Sequence, residues 1–101
     1  DSFDKIDDFT FDFDGETPLI EMCKVLEIKP DFFDDVRKGA ETIAGLVLVI
    51  NGTIPNINTS VVCKKYHLIT IKASKRKIEK IRVVLQKKNN INLPSTVSDN
   101  Q

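Results

Sequence analysis

ETIAGLVLVING, residues 41–52, is the most apolar stretch of the chain, and the fold class depends on whether it is a strand or a helix. Ile43, Leu46, Val47 and Ile50 follow the i, i+3, i+4, i+7 spacing of one helical face. Thr42 can cap the first turn, and Asn51-Gly52 supplies a left-handed stop. The β-branched residues between them argue for a strand, so the pattern leaves both open, with helix ahead. The run Ile43–Ile50 is 8 residues long, far below the roughly 20 apolar residues of a membrane span. Gly45 inside it predicts close approach to a neighbouring backbone.

Upstream, FTFDF (9–13) alternates, with Phe9, Phe11 and Phe13 on one side and Thr10 and Asp12 on the other, the pattern of a half-buried strand. Asp14-Gly15 ends it with turn chemistry. Thr17 then suits an N-cap and Pro18 the first helical position. Leu19, Met22, Cys23 and Leu26 share one face of the predicted helix, and Pro30 stops it. PDFFDDVRK (30–38) predicts one more helical turn, anchored by Phe32, Phe33 and Val36. Downstream, Ser60–Lys64 and YHLITIKA (66–73) read as strands. SKRK (74–77) is a polar turn, and Ile78, Ile81, Val83 and Leu85 mark a last strand paired back on the previous one. Strand, two or three helices, then three strands predicts an α+β domain: a mostly antiparallel sheet with the helices packed on one face.

The 101 residues suffice for one domain, hiding roughly 60–65% of the unfolded surface. With 41% apolar and 30% charged residues the chain reads as soluble and globular. Residues 1–8, polar and acidic, read as a linker, residues 9–86 as the folded domain and residues 87–101 as a polar tail without periodicity. The chain opens at Asp1, not Met, and is read as a piece of a longer protein. Net charge is zero but lopsided: residues 1–41 hold 13 acidic and 5 basic side chains, residues 42–101 hold 2 acidic and 10 basic. Opposite halves of this kind can attract each other within one fold.

TIAGLVLVINGTIP (42–55) resembles the CorC/HlyC transporter-associated domain through Thr42, Gly45, Gly52 and Pro55. The resemblance continues through Leu68–Ile71 and IEKIRVVL, with Ile78, and upstream through FDGETPLIEMCKVLEI. NINTS (56–60) departs from it, since relatives commonly carry a glycine turn there. The resemblance implies a FAD-binding/transporter-associated domain-like fold in which 42–52 is helical and Gly45 lets that helix lie close against the sheet. It implies a non-enzymatic regulatory domain of a CBS-domain hemolysin-like or magnesium and cobalt efflux membrane protein, at the cytoplasmic face of the inner membrane. The implied partners are the CBS and membrane domains of the same polypeptide, a second copy of the domain, or an anionic membrane surface. Flavin (FAD) or nucleotide binding follows only from analogy of fold.

Individual residues add little chemistry. Thr10, Asp12, Asp14, Gly15 and Glu21 fall at EF-hand loop positions, but the first ligand is Thr and the flanks alternate as a strand, so no metal site is expected. His67 lacks a nucleophile motif, and Cys23 and Cys63 read as reduced, part-buried thiols, so no catalytic residues are assigned. Four scattered glycines make no phosphate-cradling loop. Lys64, Lys65, Lys72, Lys75, Arg76, Lys77, Lys80 and Arg82 form a basic set, with Lys75, Arg76 and Lys77 as the expected contacts to an anionic partner. Apart from Tyr66 no aromatic residue interleaves them, so nucleic acid is not expected.

Overall fold

The structure, a computed structural model, describes residues 3–86. Along the chain run β1 (Phe3–Asp7), β2 (Thr10–Asp14), α1 (Leu19–Leu26), α2 (Ile43–Asn51), β3 (Ser60–Cys63), β4 (Tyr66–Ala73) and β5 (Ile78–Leu85). The strands make one five-stranded sheet in the order β1-β2-β5-β4-β3, with every pairing antiparallel. This is the expected α+β class, with two helices.

The apolar stretch 43–51 is therefore a helix. Thr42 Oγ1 accepts the Gly45 N–H at 3.0 Å, and Gly52 ends the helix in the left-handed region at φ 89°. Ile43, Leu46 and Val47 are fully buried, whereas Ile50 keeps 37% exposure, so the last turn of α2 lifts off the core. Gly45 plays a different part from the one expected. A methyl group there would meet the Ala40 side chain at 3.1 Å, so it accommodates the segment leading into the helix, not the sheet. The glycine that allows close packing against the sheet is Gly15, whose N–H donates to Glu79 C=O at 2.9 Å and whose C=O accepts from Ala44 at 2.9 Å. A methyl group at position 15 would run into the Ile78 carbonyl.

Four other expectations are corrected. Residues 3–7, assigned to a linker, are the edge strand β1; Phe3 lies across Phe13 at 5.7 Å between ring centroids. Helix α1 is not capped by Thr17: Pro18 occupies the N-cap without a side-chain bond. The chain there is fixed by main-chain bonds to the start of α2, Leu19 N–H to Glu41 C=O and Ile43 N–H to Thr17 C=O. Nor does Pro30 end α1; Glu27 does, in the left-handed conformation at φ 59°. Segment 30–38 forms turns without a helix, with one α-type bond from Arg37 N–H to Phe33 C=O. The tail 87–101 lies outside the described residues.

The core is a single cluster. Phe13, Ile81 and Thr70 form one inward row across the sheet, and Phe11, Val83, Leu68 and Val61 the next. Leu19, Met22 and Cys23 of α1 and Ile43, Leu46 and Val47 of α2 close over them, with Phe33 filling the space the turns enclose. Thr70 Oγ1 is buried in this cluster with no hydrogen-bond partner among the described residues, a local cost to stability.

Candidate functional site

Three ion pairs take up part of the lopsided charge inside the fold. Arg82 binds Asp12 with two parallel bonds, Nε to Oδ1 at 2.7 Å and Nη2 to Oδ2 at 2.9 Å, the strong forked geometry. The two face each other across β2 and β5 on the side of the sheet away from the helices. Lys77 Nζ reaches Glu16 at 3.0 Å and Lys64 Nζ reaches Asp35 at 2.7 Å. Each of these pairs joins the acidic first half to the basic second half. Hydrogen bonding to Asp12 raises the Arg82 pKa, and bonding to Glu16 raises that of Lys77. Lys64 lowers that of Asp35 through its hydrogen bond.

The basic set therefore does not act as one patch. Lys64 also donates to the Phe32 carbonyl and sits 4.7 Å from that ring centroid, and Lys65 lies over the Phe32 and Tyr66 rings. Lys72 is 3.8 Å from Glu79. Of Lys75, Arg76 and Lys77, the structure turns Lys77 back onto Glu16 and leaves Lys75 and Arg76 at the tip of the β4–β5 hairpin. Ser74 shapes that tip: its Oγ accepts from the Arg76 and Lys77 N–H groups at 3.2 and 3.3 Å. Beside it a shallow cleft of about 520 Å³ is lined by Ile54, Pro55, Ile57 and Lys75.

The family-pattern residues hold the scaffold. Thr42 and Gly52 bound α2, Pro55 is buried in the turn that leaves it, and Ile78, 1% exposed, carries the carbonyl that Gly15 approaches. The EF-hand positions are spread over β2, the turn after it and α1, and Asp12 is occupied by Arg82. Among the described residues no three His, Cys, Asp or Glu side chains are grouped to hold a metal ion. His67 sits in β4 between Val62 and Val84, with Ser60 Oγ 3.4 Å from Nδ1.

Cys23 and Cys63 are free and buried. Burial, the largest influence on each, raises both thiol pKa values, and burial likewise raises that of Tyr66. A group whose pKa is raised by folding stabilises the fold below its unfolded value and loses that contribution as pH climbs through the folded value. Stability is thus expected to fall from about pH 8.5 upward, where unfolded thiols begin to ionise. At pH 8 both thiols should resist a water-soluble alkylating reagent until urea unfolds the chain. Mass spectrometry of the alkylated protein checks this; fast native labelling of either cysteine would refute it.

Sequence reasoning missed the surface that α2 offers. Leu48, Val49 and Ile50 each keep 37% exposure. Three consecutive residues cover about 200° of a helix, and a helix apolar around its circumference is normally enclosed. The signal was available in the string LVLVI, which has no polar side for solvent. Among the described residues no helix is long and apolar enough to cross a membrane.

The family model for CorC/HlyC, the transporter associated domain, matches residues 4–87. A polyamine export protein of Haemophilus influenzae is 39% identical over 74 residues, which is 73% of this chain and 16% of that protein. The chain thus spans about a sixth of the length of that curated relative. The transporter associated domain of a CBS domain protein from Porphyromonas gingivalis has the same fold, with TM-score 0.76 at 22% identity over 84% of this chain and 98% of that one. A CorC/HlyC domain from Haemophilus ducreyi superposes with TM-score 0.65 at 26% identity, covering 84% and 98%.

Proposed function

Since this chain belongs to the CorC/HlyC family of transporter associated domains, we propose that it is a non-enzymatic regulatory module of a membrane transport protein. It works at the cytoplasmic face of the membrane, docking against neighbouring domains of the same polypeptide, CBS domains among them. The observation that carries this is the exposed side of α2: Leu48, Val49 and Ile50 form an apolar surface on a short helix whose other side is locked into the core. Such a patch suits an adjoining domain held nearby by the chain, because tethering raises the effective concentration and a small contact then suffices. The CBS domain protein among the structural relatives and the polyamine exporter among the sequence relatives support this setting.

Docking through α2 would make the transporter sensitive to how this helix is seated. Replacing Leu48 and Val49 by Lys puts charge on exposed positions, so the domain keeps its fold. In the complete transport protein the double variant should change the transport rate, or its response to regulation, about tenfold, the effect of losing roughly 1.4 kcal/mol of coupling. Flux measured in vesicles, beside the melting temperature of the isolated domain, makes the test. Wild-type flux from a transporter carrying both substitutions would sink the proposal.

A further inference from the structure

Among the described residues the sheet has two open edges, and they are built differently. β1 carries Asp4, Lys5 and Asp7, and its register with β2 shifts between Lys5 and Asp7. Edge charges and a register irregularity keep a strand from pairing further. β3, SVVC, has no charged residue and no proline, and its register with β4 is unbroken. The two-residue Lys64-Lys65 turn makes Cys63 and Tyr66 a hydrogen-bonded pair, and by the alternation of antiparallel ladders Val61 also bonds to β4. The Thr70 N–H donated to Thr59 C=O at 3.1 Å continues that alternation. Ser60 and Val62 therefore turn their main-chain N–H and C=O groups outward, where no main-chain bond from another described residue reaches them. Both side chains are exposed, Val62 at 56%.

We propose that β3 pairs antiparallel with β3 of a second copy of this chain, about a two-fold axis at Val61. In that register Ser60 of each copy faces Val62 of the other, and the two pairs exchange about four main-chain hydrogen bonds. Charge favours this arrangement. The axis sends the two Lys64-Lys65 turns to opposite ends, where Lys64 of one copy comes beside Asn58 of the other, and no like charges meet. Pairing of β3 with β1 of another copy would set the uncharged edge against Asp4, Lys5, Asp7 and the register shift. With one edge defended, the β3 pair is closed: it leaves no pairable edge and stops at two copies. The contact is short, so the dissociation constant for the separate chain is on the order of 1 mM, tightened when the copies are held side by side.

This inference is independent of docking through α2 and is tested on the chain alone. Sedimentation equilibrium and amide hydrogen exchange by NMR are followed from about 0.05 to about 5 mM, a range that brackets the constant. The mass should rise toward two copies, and the Ser60 and Val62 amides should gain protection in step with it. Val62→Lys should abolish both effects, whereas Ile20→Lys, at a 62% exposed position on α1, should leave them intact. A monomeric mass throughout overturns the proposal. So does protection of Ser60 and Val62 that is present at every concentration, which would mean that the edge is covered within the chain, or absent at every concentration, which would mean that it is never covered. Dimerisation of Val62→Lys as strong as that of the unsubstituted chain overturns it as well.

Discussion

Gly15→Ala is expected to lower the stability of the domain by about 3 kcal/mol, the upper range for overpacking a filled site. The added methyl group would occupy the space of the Ile78 carbonyl and touch the Ala44 side chain. The carbonyl is main chain in the central strand, so no rotamer change relieves the contact. Relief requires Gly15 to retreat, which breaks its bonds to Glu79 and to Ala44 together. In a domain of this size the loss corresponds to a melting temperature lower by on the order of 15 °C. Thermal unfolding followed by circular dichroism reads the effect directly. A melting temperature within about 2 °C of the unsubstituted chain, equivalent to less than 0.5 kcal/mol, would show that the approach of β2, β5 and α2 is not as tight as described.

Phe33→Ala should cost about 3–5 kcal/mol, the range for a fully buried aromatic side chain. The residue is 1% exposed although it sits in a segment of turns with no regular secondary structure. Its ring is edge-on to Phe32, at 4.9 Å between centroids, and tilted against Tyr66 at 6.2 Å. These contacts, with Lys64 bonded to the Phe32 carbonyl and paired with Asp35, are what keep residues 30–38 on the sheet. Urea unfolding gives the overall loss. Hydrogen exchange should also show that the Val36 and Arg37 amides, both donating to Phe33 C=O, open before the rest. Equal protection across the segment and the strands in the variant would contradict an anchor at this position.

The sequence announced the elements whose signals are local. Thr42 and Gly52 are residue types with a definite role at helix ends, and they occupy those ends. The alternation in β4 and β5 is strong because their inner sides are buried. β1 was unreadable for the opposite reason: all five of its residues are exposed, so burial imposes no alternation. It is a strand because β2 is there to pair with. The start of α1 misled because Thr17 and Pro18 fit a capped helix by type, whereas the structure spends their main-chain neighbourhood on bonds to Glu41 and Ile43. Gly45 and Gly15 could not be told apart by type, since what distinguishes them is the distant residue each one meets. The basic set suggested a patch because Glu16, Asp12 and Asp35, which neutralise three of its members, are remote in the chain.

The placement of β5 between β2 and β4 bears on how the domain is made. β5 is the last strand of the described chain and the only one that joins the β1–β2 hairpin to the β3–β4 hairpin. While a ribosome is still synthesising residues short of Leu85, the nascent polypeptide holds two hairpins with no shared partner, and isolated hairpins are marginal in water. Closing the gap joins Thr10 to Val84, a long-range contact of the kind that slows folding. Folding during translation should therefore be withheld until that final segment clears the exit tunnel, leaving the apolar α2 sequence open to chaperones in the interval.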